Sequence, residues 1–298
     1  MNPPYTTILS AAELAAHLHD PNLVIVDCRF DLLDTAAGER RYRESHIPGA
    51  VYAHLARDLS GPRAATGEGG RHPLPTPAEL TRTFGGWGIG GAAPGRGVQV
   101  VAYDDQSGHY AARLWWLLRF MGHEAVAVLD GGWPAWVAAG LPVEAGDGDG
   151  IGGDVPPERL YEGGPRLDRP ATAEEAVAAP LLVDGRAPER YRGEVEPLDP
   201  VAGHIPGATN RPYTANWDAD GRWRAPEALL AEFLDLLGDT PPESAVFYCG
   251  SGVSACVNLL AMVRAGLPEG RLYVGSWSEW SRLGRPVARG QSPTPQTG

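Results

Sequence analysis

Short apolar, β-branched runs alternate along the chain with stretches whose apolar positions recur every three to four residues. Residues 24–26, 98–102 and 125–129 are of the first kind, and residues 110–121 are of the second. Those periods predict strands and a helix respectively. The alternation returns later, with strand-like runs at 182–184 and 245–248 and a helical pattern over 253–264. Strands that read as continuous apolar runs, separated by helices, predict a mostly parallel sheet with helices on both faces, an α/β fold.

The pattern is written twice. "VIVDCR" at 24–29 and "SHIPGA" at 45–50 are followed by "VQVVAYDD" at 98–105 and "LDGGWPAW" at 129–136. "LVDGR" at 182–186, "GHIPGA" at 203–208, "AVFYC" at 245–249 and "YVGSWSEW" at 273–280 repeat that order. A tandem repeat follows: an N-terminal domain over 1–144, a linker over 145–166, a C-terminal domain over 167–290 and a flexible tail over 291–298. The linker, "AGDGDGIGGDVPPERLYEGGPR", is rich in Gly and Pro. Its glycines imitate a dinucleotide fingerprint, but neither strand nor apolar helix flanks them.

Composition narrows the function. At 298 residues and 43% hydrophobic, the chain has material for two cores. No apolar run approaches the roughly 18 residues of a membrane span, and the N-terminus lacks a signal-peptide pattern. Three cysteines do not suggest a disulfide framework, so a cytoplasmic protein is expected. A net charge of −12 argues against a nucleic-acid partner. All 25 basic residues are arginine, which excludes Schiff-base lysine chemistry and a P-loop. Neither a metal site nor a prosthetic cofactor is expected.

The candidate chemistry lies in "YCGSGVSAC", 248–256. Cys249 stands where a strand hands over to a helix, with Gly250, Ser251, Gly252, Val253 and Ser254 as the turn. Ligands bind beyond the carboxyl ends of parallel strands, and a helix N-terminus favours an anion. Both effects stabilise a thiolate, the nucleophilic form. Residues 250–254 therefore read as a cradle for an anionic sulfur. Aligning Ser107-Gly108 with Ser251-Gly252 sets Asp105 opposite Cys249, to within one residue, so one copy carries a nucleophile and the other does not. Cys256, in phase with Leu260 and Val263, reads as helix core, and Cys28 reads as structural.

Tandem D-x-R and HIPGA motifs with a C-terminal CGSGVSAC loop resemble the rhodanese superfamily of two-domain sulfurtransferases, over roughly residues 8–288. The resemblance implies two rhodanese-like domains, the first catalytically silent. It implies that Cys249 carries sulfane sulfur as a persulfide, from a small-molecule donor to a thiol, cyanide or thioredoxin acceptor. Thiosulfate-type members resemble C-R-K-G-V-T and mercaptopyruvate-type members C-G-S-G-V-T; Cys249 to Ser254 follow the second, so 3-mercaptopyruvate is favoured and thiosulfate is the alternative. Ser251 is assigned to assist the departing enolate.

An anionic donor needs arginine forks, and Arg186, closing D-x-R, and Arg192 are the candidates, ahead of Arg190. His46 and His204 recur in both copies and read as turn formers, although His46 is also a candidate to orient Ser251. The family's acid–histidine–serine relay would need an acid at Ala37, leaving Asp34 and Glu39 as displaced candidates. Arg71 and His72, in the unpaired insertion "GEGGRHPLP" at 67–75 of the silent domain, are further cleft candidates. Two rivals remain. A thiol phosphatase would need Cys-x5-Arg, but the sixth residue after Cys249 is Ala255. A non-enzymatic sulfur carrier would load sulfur without turnover.

Overall fold

The computed structural model describes residues 4–90, 97–146 and 158–291. The tail beyond 291 and residues 147–157, half of the Gly-rich linker, lie outside the described residues. The chain divides into two compact units. The first contains Met1–Gly61, Leu74–Leu167 and Trp217–Arg224; the second contains Pro62–Pro73, Asp168–Asn216 and Ala225–Gly298.

In the first unit the strands are β1 (Ile8–Leu9), β2 (Leu23–Asp27), β3 (Val51–Tyr52), β4 (Gln99–Tyr103) and β5 (Val126–Leu129). They form one sheet in the order β1-β5-β4-β2-β3, with every pairing parallel. Helices α1 (Ala11–Ala15), α2 (Ala37–Glu44), α3 (Pro77–Gly86), α4 (Ala111–Phe120) and α5 (Gly132–Ala138) connect them. Ser10 and Thr76 start α1 and α3 with capping boxes to Glu13 and Glu79, satisfying N–H groups that the helix leaves over. Residues 158–166, expected in a linker, instead pack on this unit: Arg159 N–H donates to Gly85 and the Tyr161 hydroxyl to Met121.

The second unit repeats the plan. Strands β6 (Pro170–Ala171), β7 (Leu182–Asp184), β8 (Thr209–Asn210), β9 (Val246–Tyr248) and β10 (Arg271–Tyr273) are ordered β6-β10-β9-β7-β8, again all parallel. Its helices are α6 (Ala173–Ala178), α7 (Pro188–Tyr191), α8 (Pro226–Leu237), α9 (Ala255–Arg264) and α10 (Ser276–Trp280). A cluster including Val246, Tyr248, Tyr273 and Trp277 fills the core beside β9.

Register fixes the correspondence between the copies. Asp27 pairs with Tyr103 across β2 and β4, and Asp184 pairs with Tyr248 across β7 and β9. The residue after each tyrosine is therefore equivalent, which sets Asp104 opposite Cys249. The offset from Asp105 arises because the silent turn is one residue longer before its helix. The insertion also changes allegiance: Pro62–Pro73 belongs to the second unit, not to the silent domain of the sequence reading.

Candidate active site

Cys249 follows β9 directly and is buried. Its carbonyl accepts from Trp277 N–H at 3.0 Å and its own N–H donates to Ser276 Oγ at 3.1 Å. Ser276 holds φ +53°, a conformation that non-glycine residues rarely adopt; the equivalent residue of the other copy is Gly132, at φ +54°. The serine hydroxyl also donates to the Tyr273 carbonyl at 2.9 Å, so the strained serine pins the thiol-bearing residue to β10. Gly252 is at φ +71°, and a Cβ there would collide with the Val274 carbonyl. Only glycine lets the turn pass so close to β10.

The equivalent turn of the first unit contains an anion. The Asp104 carboxylate accepts N–H groups of Gln106, Gly108, Tyr110 and Ala111 at 2.7–2.9 Å. A turn leading into a helix at this point of the fold thus gathers backbone donors on a negative group. Cys28 lies elsewhere, buried beside β2, where burial and the nearby Asp104, Asp27 and Asp58 push its thiol well up. Cys256 is buried in α9, with Sγ 3.4 Å from the Gly252 carbonyl.

The segment Pro62–Pro73 brings two side chains to the turn. His72, buried, has Nδ1 2.9 Å from Ser251 Oγ. Arg71 ion-pairs with the buried Asp199. The polar residues of "GSWSEW" hold the segment in place: Ser278 Oγ accepts Arg71 N–H at 2.9 Å and Glu279 accepts Gly69 N–H at 2.9 Å. The silent copy reads "GGWPAW", with Pro134 and Ala135 at those places. That difference was the sequence signal for a docked segment.

The arginine assignments change. Arg186 is only 2% exposed, its guanidinium spent on Asp184, Glu196 and the Gly203 carbonyl and stacked 4.6 Å over Trp277. Arg29 repeats this in the first unit, on Asp27, the Ser45 carbonyl and Trp133 at 4.6 Å. A residue that makes the same aspartate, carbonyl and tryptophan contacts in the copy without a cysteine at this turn is a brace between D-x-R and HIPGA. Arg192 pairs with exposed Glu194 at 2.7 Å. It is Arg190 that reaches the turn: a Cβ on Gly250 would lie 3.5 Å from its Nη1 and 3.1 Å from Arg71 Nη2.

His46 has the place of a turn former and does not stand beside Ser251. Its Nδ1 is 2.7 Å from the Tyr42 carbonyl and its ring stacks on Tyr42 at 4.1 Å. His204 does the same on Tyr191, at 2.7 and 3.8 Å. Both are turn formers, and His72 takes the place beside Ser251. Asp34 and Glu39 are spent on Arg40 and Arg43. Among the described residues no cluster of His, Cys, Asp or Glu could hold a metal ion, and no helix is long and apolar enough to cross a membrane.

The rhodanese-like domain family matches residues 10–139 and 169–283. The chain belongs to the rhodanese family. It is 48% identical to a probable 3-mercaptopyruvate sulfurtransferase of Pseudomonas aeruginosa, over 95% of this chain and 98% of that protein. It is 43% identical to a putative thiosulfate sulfurtransferase of Mycobacterium tuberculosis, over 95% and 97%. A 3-mercaptopyruvate sulfurtransferase structure from Leishmania major superposes with a TM-score of 0.81 at 32% identity, covering 94% of this chain and 75% of that one. The chain is a sulfurtransferase of two rhodanese domains.

Proposed function

We propose that this rhodanese-family enzyme takes sulfur from 3-mercaptopyruvate onto Cys249 and passes the resulting persulfide sulfur to a small thiol, cyanide or thioredoxin in the cytoplasm. The Cys249 thiolate attacks the donor's sulfur. An S–S bond forms, the donor's C–S bond breaks, and its electron pair leaves as the pyruvate enolate. The donor's thiol proton ends on the enolate carbon, giving pyruvate and a Cys249 persulfide anion. Attack of the acceptor on the outer sulfur then regenerates the thiolate, in a ping-pong cycle.

The observation that carries the choice of donor is the His72–Ser251 pair, two residues from Cys249. An enolate needs a hydrogen-bond donor and a proton as it departs, whereas sulfite, the leaving group of thiosulfate, needs neither. The Asp104 carboxylate, held by four N–H groups at the equivalent turn, supports the 250–254 backbone as the persulfide cradle. Arg190 supports binding of the donor's anionic end.

The test is thiocyanate formation from cyanide, comparing kcat/KM for the two donors, with mass spectrometry of donor-treated protein. A higher kcat/KM for mercaptopyruvate and one extra sulfur on the Cys249 peptide are expected. Absence of that adduct, or turnover persisting in Cys249→Ser, would overturn the mechanism. Loading without turnover would return the chain to a carrier.

A further inference from the structure

We infer that Arg211 and Asn258 are positioning residues for the thiol turn: a buried polar network anchored on the Arg211 guanidinium fixes the start of α9 from behind and holds the turn ready for a negatively charged sulfur. The inference rests on Cys249 as the reacting thiol, the reading proposed above, and not on the choice of donor.

Arg211 is buried, pairs with Glu232 at 3.3 Å and lies 4.1 Å over the Phe233 ring. Its Nη1 donates to Asn216 Oδ1 at 2.9 Å and to Asn258 Oδ1 at 2.8 Å. Asn258 Nδ2 donates back to the Arg211 carbonyl at 3.1 Å, and Asn216 Nδ2 donates to Asn258 Oδ1 at 2.6 Å. Asn258 is the fourth residue of α9, so these bonds tie the first turn of that helix to the chain leaving β8. The same amide lies against the strand end that carries Cys249. A Cβ on Gly185 would stand 3.4 Å from both Asn258 Nδ2 and the Tyr248 carbonyl.

The first unit has other residues at these places. Ala53 N–H donates to the Asp27 carbonyl at 2.8 Å as Arg211 N–H does to that of Asp184 at 3.0 Å, which sets Ala53 opposite Arg211. Leu114 is the fourth residue of α4, opposite Asn258. Cys28 stands in the first D-x-R motif where the second has Gly185. Ala53, Leu114 and Cys28 are all buried. Three exchanges therefore separate the copies beneath the turn, and each supplies a polar group, or makes room for one, in the copy that carries Cys249.

The reason lies in what each turn encloses. Asp104 keeps its own carboxylate on four backbone N–H groups, a permanent internal template. A sulfur that is loaded and unloaded cannot hold its turn in that way, so the donors must be set before the charge arrives. Donors preorganised around developing charge cost no reorganisation during the reaction, and they stay in place only when groups behind them are locked. A guanidinium, with five donors in a fixed fork, can lock several groups at once.

Alkylation and turnover test the inference together. Iodoacetamide is neutral and bypasses donor binding: the Cys249 sulfur forms a C–S bond, its proton goes to solvent and iodide leaves with the C–I electron pair. Arg211→Met is assayed at a temperature where near-ultraviolet circular dichroism shows it folded. The alkylation rate at the Cys249 peptide, and kcat with either donor, should fall by about tenfold, the scale of a hydrogen bond to a charged group. KM for both donors should stay within about twofold. Arg211→Lys keeps a buried cation and should recover most of the loss. Rates within about twofold of wild type in Arg211→Met, a loss confined to one donor, a raised KM with kcat intact, or a lysine no faster than methionine would make Arg211 a packing residue and overturn the inference. Should Arg211→Met not fold, Asn258→Leu puts the first unit's residue on α9 and leaves Arg211 with Asn216 and Glu232. It must show the same loss of alkylation rate, and an unchanged rate overturns the inference. Turnover that survives Cys249→Ser defeats the proposed mechanism, whereas the alkylation rate reads the turn itself.

Discussion

Asp104 and Cys249 occupy the same place in two copies of one fold, each directly after the tyrosine that faces the aspartate of a D-x-R motif. In one copy the group is a carboxylate satisfied by four backbone N–H groups; in the other it is a thiol. The first copy fills with a carboxylate the position at which the second carries the Cys249 thiol.

If the carboxylate closes that turn, its removal should be costly. Asp104→Ala strands several buried N–H groups at once, each worth about 1–3 kcal/mol unless the turn relaxes. Thermal unfolding should show destabilisation of at least about 3 kcal/mol, with any folded fraction retaining sulfur transfer. A variant within about 0.5 kcal/mol of wild type would contradict the role given to Asp104.

Arg186 and Arg29 should behave as a matched pair. Removing one partner of a buried ion pair costs about 3–5 kcal/mol because a charge is left uncompensated. Arg186→Met and Arg29→Met should therefore lower Tm comparably. A fold-intact Arg186→Met with a selectively raised donor KM would restore Arg186 to donor binding.

Ser251 and His72 should discriminate between donors. Losing a group that assists proton transfer typically costs about 100-fold or more. Ser251→Ala and His72→Gln should lower kcat for mercaptopyruvate on that scale while changing kcat for thiosulfate much less. Equal losses with both donors would make the pair structural.

Acid should weaken the first unit through His109. Burial pushes its imidazole down to about 4, against about 6.5 for an unperturbed histidine. Between those values the unfolded chain binds a proton that the folded chain refuses, so stability is lost as pH falls from 6.5 towards 4. His109→Gln should shrink the stability difference between pH 7 and pH 4.5 by about 1–2 kcal/mol, read from denaturant unfolding at the two pH values. An undiminished difference would place the acid sensitivity elsewhere.

Much of the fold was legible before any coordinate. Periodicity located the strands near 24–26, 98–102 and 125–129, and the doubled D-x-R and HIPGA motifs marked two parallel-sheet domains. The thiol turn was legible too, since strand, cysteine, small residues and helix follow one another directly. These are local features, set by neighbours within a few residues.

What the sequence did not reveal is which distant side chains meet the turn. Composition offered many arginines of equal standing; the D-x-R motif favoured Arg186 and the family resemblance favoured Arg192. The fold instead spends Arg186 on its own aspartate, leaves Arg192 with Glu194, and delivers Arg71 and His72 from a segment nearly 180 residues away from Ser251. The sequence alone determined the two-domain α/β architecture and the turn that carries Cys249, because short-range periodicity and contiguous motifs encode both. Tertiary structure alone decided which arginines and which histidine stand at the turn, because a guanidinium or imidazole acquires its place from the charges and hydrogen-bonding groups that packing brings to it.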